Sequence, residues 1–233
     1  MSSVLVSGIY CADRPNAAGH ILYELACSRE HVVTQRWTAL APGGAGHCDL
    51  PCTVAIHVDA APKFTLIDAM TRDAGRFDWV LIIDDDVELP NDWLDRFLAL
   101  ADRYDFALCQ PARTEDSYID HGIVMRMPGL TARRTRFVEI GPVVAIRRDA
   151  MPLLMPFGDE AGMGWGLDLV WPGILEAAGL RMGIIDATSV AHRLRKPVSG
   201  YTHDEAARGM FDRLAAHPYL PQDKAFTVVE AYV

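Results

Sequence analysis

The chain has 233 residues, half of them hydrophobic and 23% charged, which supplies a buried core and excludes a largely disordered protein. Its formal charge of −9, from 31 acidic and 22 basic residues, repels a phosphate backbone at long range and argues against general nucleic-acid binding. No apolar stretch approaches the roughly 20 residues that cross a bilayer and no leader-like run opens the sequence, so we expect a cytoplasmic protein without membrane insertion, its five cysteines reduced.

In the first half, short apolar runs alternate with helical patterns, which predicts parallel strands joined by crossover helices. Val4–Tyr10 reads as a strand, and Asn16 as the cap of a helix with Ile21, Leu22, Leu25 and Ala26 on one face. Val32–Leu40 and Thr53–Val58 are further strands, and the spacing of Leu66, Ile67 and Met70 predicts a helix over Phe64–Ala74. His47, Cys48 and Cys52 between those strands lack the fourth ligand of a zinc site. Phe77–Ile83 is almost continuously apolar, the pattern of a strand covered on both faces. Asn91 then caps a helix that turns Trp93, Phe97, Leu100 and Tyr104 to the core.

After the strand Phe106–Cys109, residues 110–135 are polar, rich in Arg and aperiodic, as in a long loop or small lobe over a site, and Arg133, Arg134 and Arg136 read as surface. Phe137–Ile146 is a strand interrupted by Gly141-Pro142. Gly164-Trp165-Gly166 leads into a helix ending near Ala178, and Met182–Asp186 is a strand. Thr202 and Glu205 form a capping box for a helix with Ala206, Met210, Phe211 and Leu214 on its apolar side.

The buried strand delivers Asp84, Asp85 and Asp86 at its carboxyl end, where open α/β sheets bind ligands. Like charges about 4 Å apart cost roughly 4 kcal/mol at an effective dielectric of about 20, so three adjacent carboxylates call for compensation. A divalent cation held by one or two of them, with water and phosphate oxygens completing its shell, provides it. A solvated turn is the alternative. Strand alternation puts Asp84 and Asp86 on one side and Asp85 on the other. Asp168 follows the Gly-Trp-Gly run near a helix start, either as a cap or as a carboxylate beside a substrate stacked on the Trp165 indole, which the flanking glycines let approach the backbone. His192 is followed by Arg193, Arg195 and Lys196, either a solvated loop or a basic cluster over a diphosphate. Glu139 either faces the cleft or pairs with an arginine.

Asp-x-Asp after an apolar strand, followed by an amphipathic helix opening with Pro-Asn, resembles the metal- and nucleotide-binding motif of GT-A glycosyltransferases. Trp79…Asp84-Asp85-Asp86, Gln110-Pro111-Ala112, Phe137-Val138-Glu139-Ile140 with Pro142-Val143, Gly164-Trp165-Gly166-Leu167-Asp168 and Gly183-Ile184-Ile185-Asp186…His192 follow one another over residues 77–192. Together they resemble a family of uncharacterised GT-A-like proteins common in plants. The resemblance implies an α/β GT-A fold: a Rossmann-like mixed, mainly parallel sheet flanked by helices. It implies a single domain over 1–233, with a nucleotide-binding half (1–109), an acceptor-side half (110–200) and a C-terminal helix and tail (201–233).

On the same ground the chain is expected to be a metal-dependent transferase using a nucleotide-sugar donor, a UDP-sugar, and a small-molecule or saccharide acceptor. Asp84, Asp86 and His192 are the implied metal ligands, for Mn²⁺ in preference to Mg²⁺ because imidazole suits Mn²⁺ better. Tyr10, Lys63, Asp84, Asp85, Trp165 and Arg193 are the implied donor contacts, and Asp168 the base of an inverting reaction. Competing readings are a nucleotidyltransferase on a related scaffold, against which the lack of an early Gly-rich basic phosphate loop argues, and a non-catalytic nucleotide-sugar or glycan binder.

Overall fold

The computed structural model describes residues 1–59, 61–196 and 202–233. Its N-terminal half runs β1 (Ser2–Cys11), α1 (Ala18–Ala26), β2 (His31–Leu40), β3 (Thr53–His57), α2 (Lys63–Met70), β4 (Trp79–Asp84), β5 (Val87–Glu88) and α3 (Trp93–Arg103). It continues through β6 (Phe106–Arg113), β7 (Ala132–Thr135), β8 (Val143–Arg147), α4 (Met151–Leu154), α5 (Leu167–Ala177) and β9 (Arg181–His192). It closes with α6 (His203–Ala216), α7 (Gln222–Ala225) and β10 (Val228–Tyr232).

The strands form one mixed sheet in the order β10-β7-β9-β6-β8-β4-β1-β2-β3, with β5 paired to the end of β9. β4, β1, β2 and β3 are mutually parallel, and the antiparallel β8 separates them from the parallel pair β6 and β9. β4 shows why its sequence is so uniformly apolar. Trp79, Leu81 and Ile83 pack in one buried cluster with α1 and α3, while Val80 and Ile82 pack in another with α2, α4 and α5. A strand buried on both faces has no polar side to display. Each large apolar side chain so buried contributes about 1.5–3 kcal/mol, and this sandwich fixes where β4 ends and the acidic run begins.

Several elements differ from the sequence expectation. The N-cap of α1 is Ala17 rather than Asn16, although Asn16 Oδ1 accepts the Ala18 amide at 3.1 Å. Asn91 does not cap α3: that place belongs to Asp92, whose φ of 53° is left-handed and whose side chain makes no capping bond. β6 extends through Arg113, so residues 110–113 are sheet rather than loop. Residues 137–142 lie outside β8. Arg133 is fully buried on β7, its guanidinium bonded to both Asp186 carboxylate oxygens and to the Ile123 and Met125 carbonyls, because a planar group with each of its nitrogens engaged can leave water. Thr202 caps α6, its Oγ1 accepting the Glu205 amide at 3.4 Å and donating to Glu205 Oε2 at 2.7 Å, but Phe211 is 64% exposed while Ala206 is buried. The tail is not free, since β10 pairs antiparallel with β7 at the sheet edge. No helix among the described residues is long and apolar enough to cross a membrane.

Candidate active site

β1, β2 and β4 end together, and above them opens a cleft of about 800 Å³ lined by Cys11, Leu40 and Asp84–Asp86 on the sheet side. The chain reaches it from far along the sequence. Val87 and Glu88 pair with His192 and Ala191, so the short ladder between β5 and β9 holds His192 against the acidic run. His192 Nε2 stands 3.1 Å from Asp86 Oδ1.

Two cations serve the three carboxylates. Lys63 Nζ, at the start of α2, is 2.6 Å from Asp84 Oδ1. Asp85 is buried and accepts the Cys11 amide at 2.7 Å, and the Arg195 guanidinium grips both of its oxygens. Arg195 also reaches Asp86 Oδ2 at 3.3 Å. Burial pushes the Asp85 carboxyl up to about 6, partly opposed by Arg195 and the Cys11 amide. Burial also works to raise Asp86, but His192, Arg195 and Lys63 outweigh it and hold that carboxyl below its ordinary range. Asp85 is not turned away as strand alternation predicts. β4 stops at Asp84, and the turn beyond it lets all three carboxylates line the cleft.

Across the cleft the chemistry differs. Asp168 sits in the first turn of α5 behind the left-handed N-cap Gly166, so it is not the cap residue. Burial raises its carboxyl to about 7, against the pull of backbone amides at the helix start and of Arg213. Glu139 also faces the cleft and pairs with Arg113, so both alternatives for it hold at once. Burial pushes Glu139 up to about 8 against the Arg113 guanidinium. The Trp165 ring meets His203 edge-on at 5.4 Å and lines the cleft. Its flanking glycines serve the protein rather than a ligand: Gly164 has φ +89°, and a Cβ there would stand 2.1 Å from the Phe64 ring.

No family model and no curated protein matches the sequence. Among solved structures, GalNAc-T7 with UDP, GalNAc and Mn²⁺ is similar at TM-score 0.57 and 10% identity, over 86% of this chain and 45% of that one. This chain thus corresponds to about half the length of that relative. S. aureus TarS in complex with UDP-GlcNAc is similar at TM-score 0.59 and 13% identity, over 96% of this chain and 69% of that one. A mycobacterial protein is similar at TM-score 0.56 and 12% identity, over 95% of this chain and 76% of that one. The chain has the GT-A fold.

Within this GT-A frame the expected donor contacts divide. Lys63, Asp84, Asp85 and Trp165 line the cleft together with Asp86, Asp168 and His192. Tyr10 does not. It is 1% exposed, packs on Trp37 and bonds Thr53 through its hydroxyl, because the pleat of β1 turns Ile9 and Cys11, not Tyr10, to the cleft. Arg193 also stays outside, clamped on the surface by Glu88 and Asp116, while Arg195 and Lys196 enter. Sequence reasoning marked the basic cluster, and of its members Arg195 and Lys196, beyond the end of β9, are the ones that line the cleft.

Among the described residues no set of three or more His, Cys, Asp or Glu side chains is grouped to hold a metal ion. Two are adjacent, Asp86 and His192: the imidazole Nε2 faces Asp86 Oδ1, and His192 Nδ1 is buried without a hydrogen-bond partner. A carboxylate oxygen facing an imidazole nitrogen fits a cation that takes its remaining ligands from phosphate and water. Asp84 is engaged by Lys63 instead.

Proposed function

We propose that the chain is a glycosyltransferase that moves a sugar from a UDP-sugar to an acceptor hydroxyl with inversion. One observation carries this reading: a single cleft has paired carboxylates and cations on one side and, opposite, a buried Asp168 whose proton affinity is poised near neutrality. Lys63, Arg195 and Lys196 would contact the diphosphate, charge-assisted donors being the strong ones in such a site. Asp86 and His192 would hold Mn²⁺ or Mg²⁺, and the bound ion would supply charge neutralisation for the departing diphosphate. Asp168 would accept the acceptor's hydroxyl proton as the new oxygen–carbon bond forms and the sugar–phosphate bond breaks, its electron pair leaving with the UDP. A base with a pKa near the working pH suits that step. Lys63 and Asp86 would come from residues 1–109, and His192, Arg195 and Lys196 from the end of the 110–200 half, brought to the same cleft.

Thermal unfolding with nucleoside diphosphates and nucleotide sugars, each with and without Mn²⁺, tests it. A ligand at about 100 times its dissociation constant adds about 2.7 kcal/mol. The expected result is Mn²⁺-dependent stabilisation by UDP and one UDP-sugar, lost in Asp86→Ala, with slow UDP release from that sugar. Pyrophosphate release from a nucleoside triphosphate would favour the nucleotidyltransferase, and indifference to every nucleotide would overturn the reading.

A further inference from the structure

α6 lies over the start of α5, and the large side chain it buries there is a cation. Ala206, Met210, Arg213 and Leu214 fall at i, i+4, i+7 and i+8, which is one face of the helix. A Cβ on Gly166, the N-cap of α5, would stand 3.1 Å from Met210 Cγ and 3.5 Å from Leu214 Cδ2, so this face is pressed against the turn that carries Asp168. Met210 and Leu214 stay half-buried, yet Arg213 is 7% exposed. Its partners explain the burial: Arg213 Nη1 donates to the Trp165 carbonyl, and Nη2 to the Glu160 carbonyl at 2.6 Å. One planar fork thus bridges two carbonyls of the turns leading into α5.

Those carbonyls take hydrogen bonds but do not neutralise the charge. Burial drives the Arg213 guanidinium below its ordinary range, and Glu160 and Asp168 act against that. The attraction is mutual, since Arg213 opposes the burial that raises Asp168. Other titratable groups near the base have their own neighbours. Glu139, a like charge to Asp168, is bonded to Arg113, with Asp120 near the guanidinium and His121 4.0 Å from Glu139. His203 meets the Trp165 ring edge-on.

We propose that Arg213 is a positioning residue for the base: it clamps the turn that presents Asp168 and supplies the positive charge that favours its ionised form. The word base rests on the transferase reading, but the ionisation of Asp168 is measured without turnover. Unfolding free energies of the full chain and of Asp168→Asn, compared from pH ~4 to ~9, differ by an amount that levels off where Asp168 ionises. Repeated with Arg213→Gln or Arg213→Met in both chains, the comparison should level off about one pH unit higher. Arg213→Lys keeps the charge and should return it most of the way. The kcat/KM for UDP release from the UDP-sugar should follow: the neutral variants lose about fivefold at pH ~7 and regain it by pH ~9. Stabilisation by UDP should be unchanged, which also reports that the variants are folded. An unmoved levelling point in the neutral variants, an equal move in Arg213→Lys, or a loss of kcat/KM that persists at pH ~9 overturns the proposal. A levelling point that moves in a chain releasing UDP from no UDP-sugar would instead break the transferase reading and leave Arg213 as the counter-charge of Asp168.

Discussion

The two sides of the cleft hold the same functional group in opposite conditions. Asp84 is met by Lys63, Asp85 and Asp86 share Arg195, and His192 stands against Asp86. Asp168 is about as buried, but its compensation is a helix start and a more distant Arg213, and its carboxyl rises to about 7. Burial raises Asp168 to about 7 and, even against their guanidinium partners, Asp85 to about 6 and Glu139 to about 8, so a partner moderates burial without cancelling it. The paired side is suited to hold a charged ligand, and the unpaired side to exchange a proton.

The largest expected effect comes from removing the proposed proton acceptor. Asp168→Asn should lower turnover by about 10²–10⁴-fold while UDP stabilisation persists. The wild-type kcat/KM should rise with pH and level off above about 7, where Asp168 is ionised. The same shift has a stability consequence. Unfolded, the carboxyl ionises near 3.8, and folded near 7. Below the lower value both states are protonated and the group costs nothing; stability then falls as pH rises, and the full cost stands above the upper one. Asp168→Asn removes that cost, so its unfolding free energy should exceed the wild type's at pH ~8, by roughly 2–4 kcal/mol, and match it at pH ~4. Chemical denaturation at the two pH values checks this, and equal stability at pH ~8 would show that Asp168 is already paired in the folded chain.

A smaller effect is expected from the charged side. Arg195→Ala leaves Asp85 buried with only the Cys11 amide and Asp86 without its guanidinium, so UDP affinity should fall about 10–100-fold. Arg193→Ala is the matched control two residues away. Its guanidinium is tied to Glu88 and Asp116 in solvent, and exposed pairs of this kind are worth little, so UDP affinity should not change. Calorimetric titration of both variants separates the two arginines, and equal losses would mean that the cleft recruits both.

Much of this organisation can be read from the residues. The doubly covered β4 and the acids after it are legible because a strand buried on both faces writes a continuous apolar run, and Asp168 because it follows a Gly-Trp-Gly turn. Parity at strand ends is harder. Tyr10 and Cys11 differ by one pleat, and Arg193 and Arg195 by which side of a chain end they take, and no local pattern fixes either. The Glu139–Arg113 pair joins residues 26 apart in sequence on separate elements, and Arg133 reads as surface until Asp186 is brought to it by strand pairing. β10 escaped because a five-residue edge strand that is mostly exposed carries no alternation to detect.

The smallest expected effect tests how closely the paired side is fitted. Gly141 lies against the ion pair at the mouth of β4: an added Cβ would stand 3.0 Å from both Asp84 Oδ2 and Lys63 Nζ. No positive φ is required there, so Gly141→Ala introduces crowding without backbone strain. The crowded atoms are the ends of side chains, which can shift by a few tenths of an ångström, so folding should be nearly unaffected. The displacement falls on Lys63, the residue assigned to the diphosphate, and should raise the donor KM about threefold, less than 1 kcal/mol, with kcat unchanged. A kcat that falls while KM holds would place the Lys63–Asp84 pair in the chemical step rather than in donor binding.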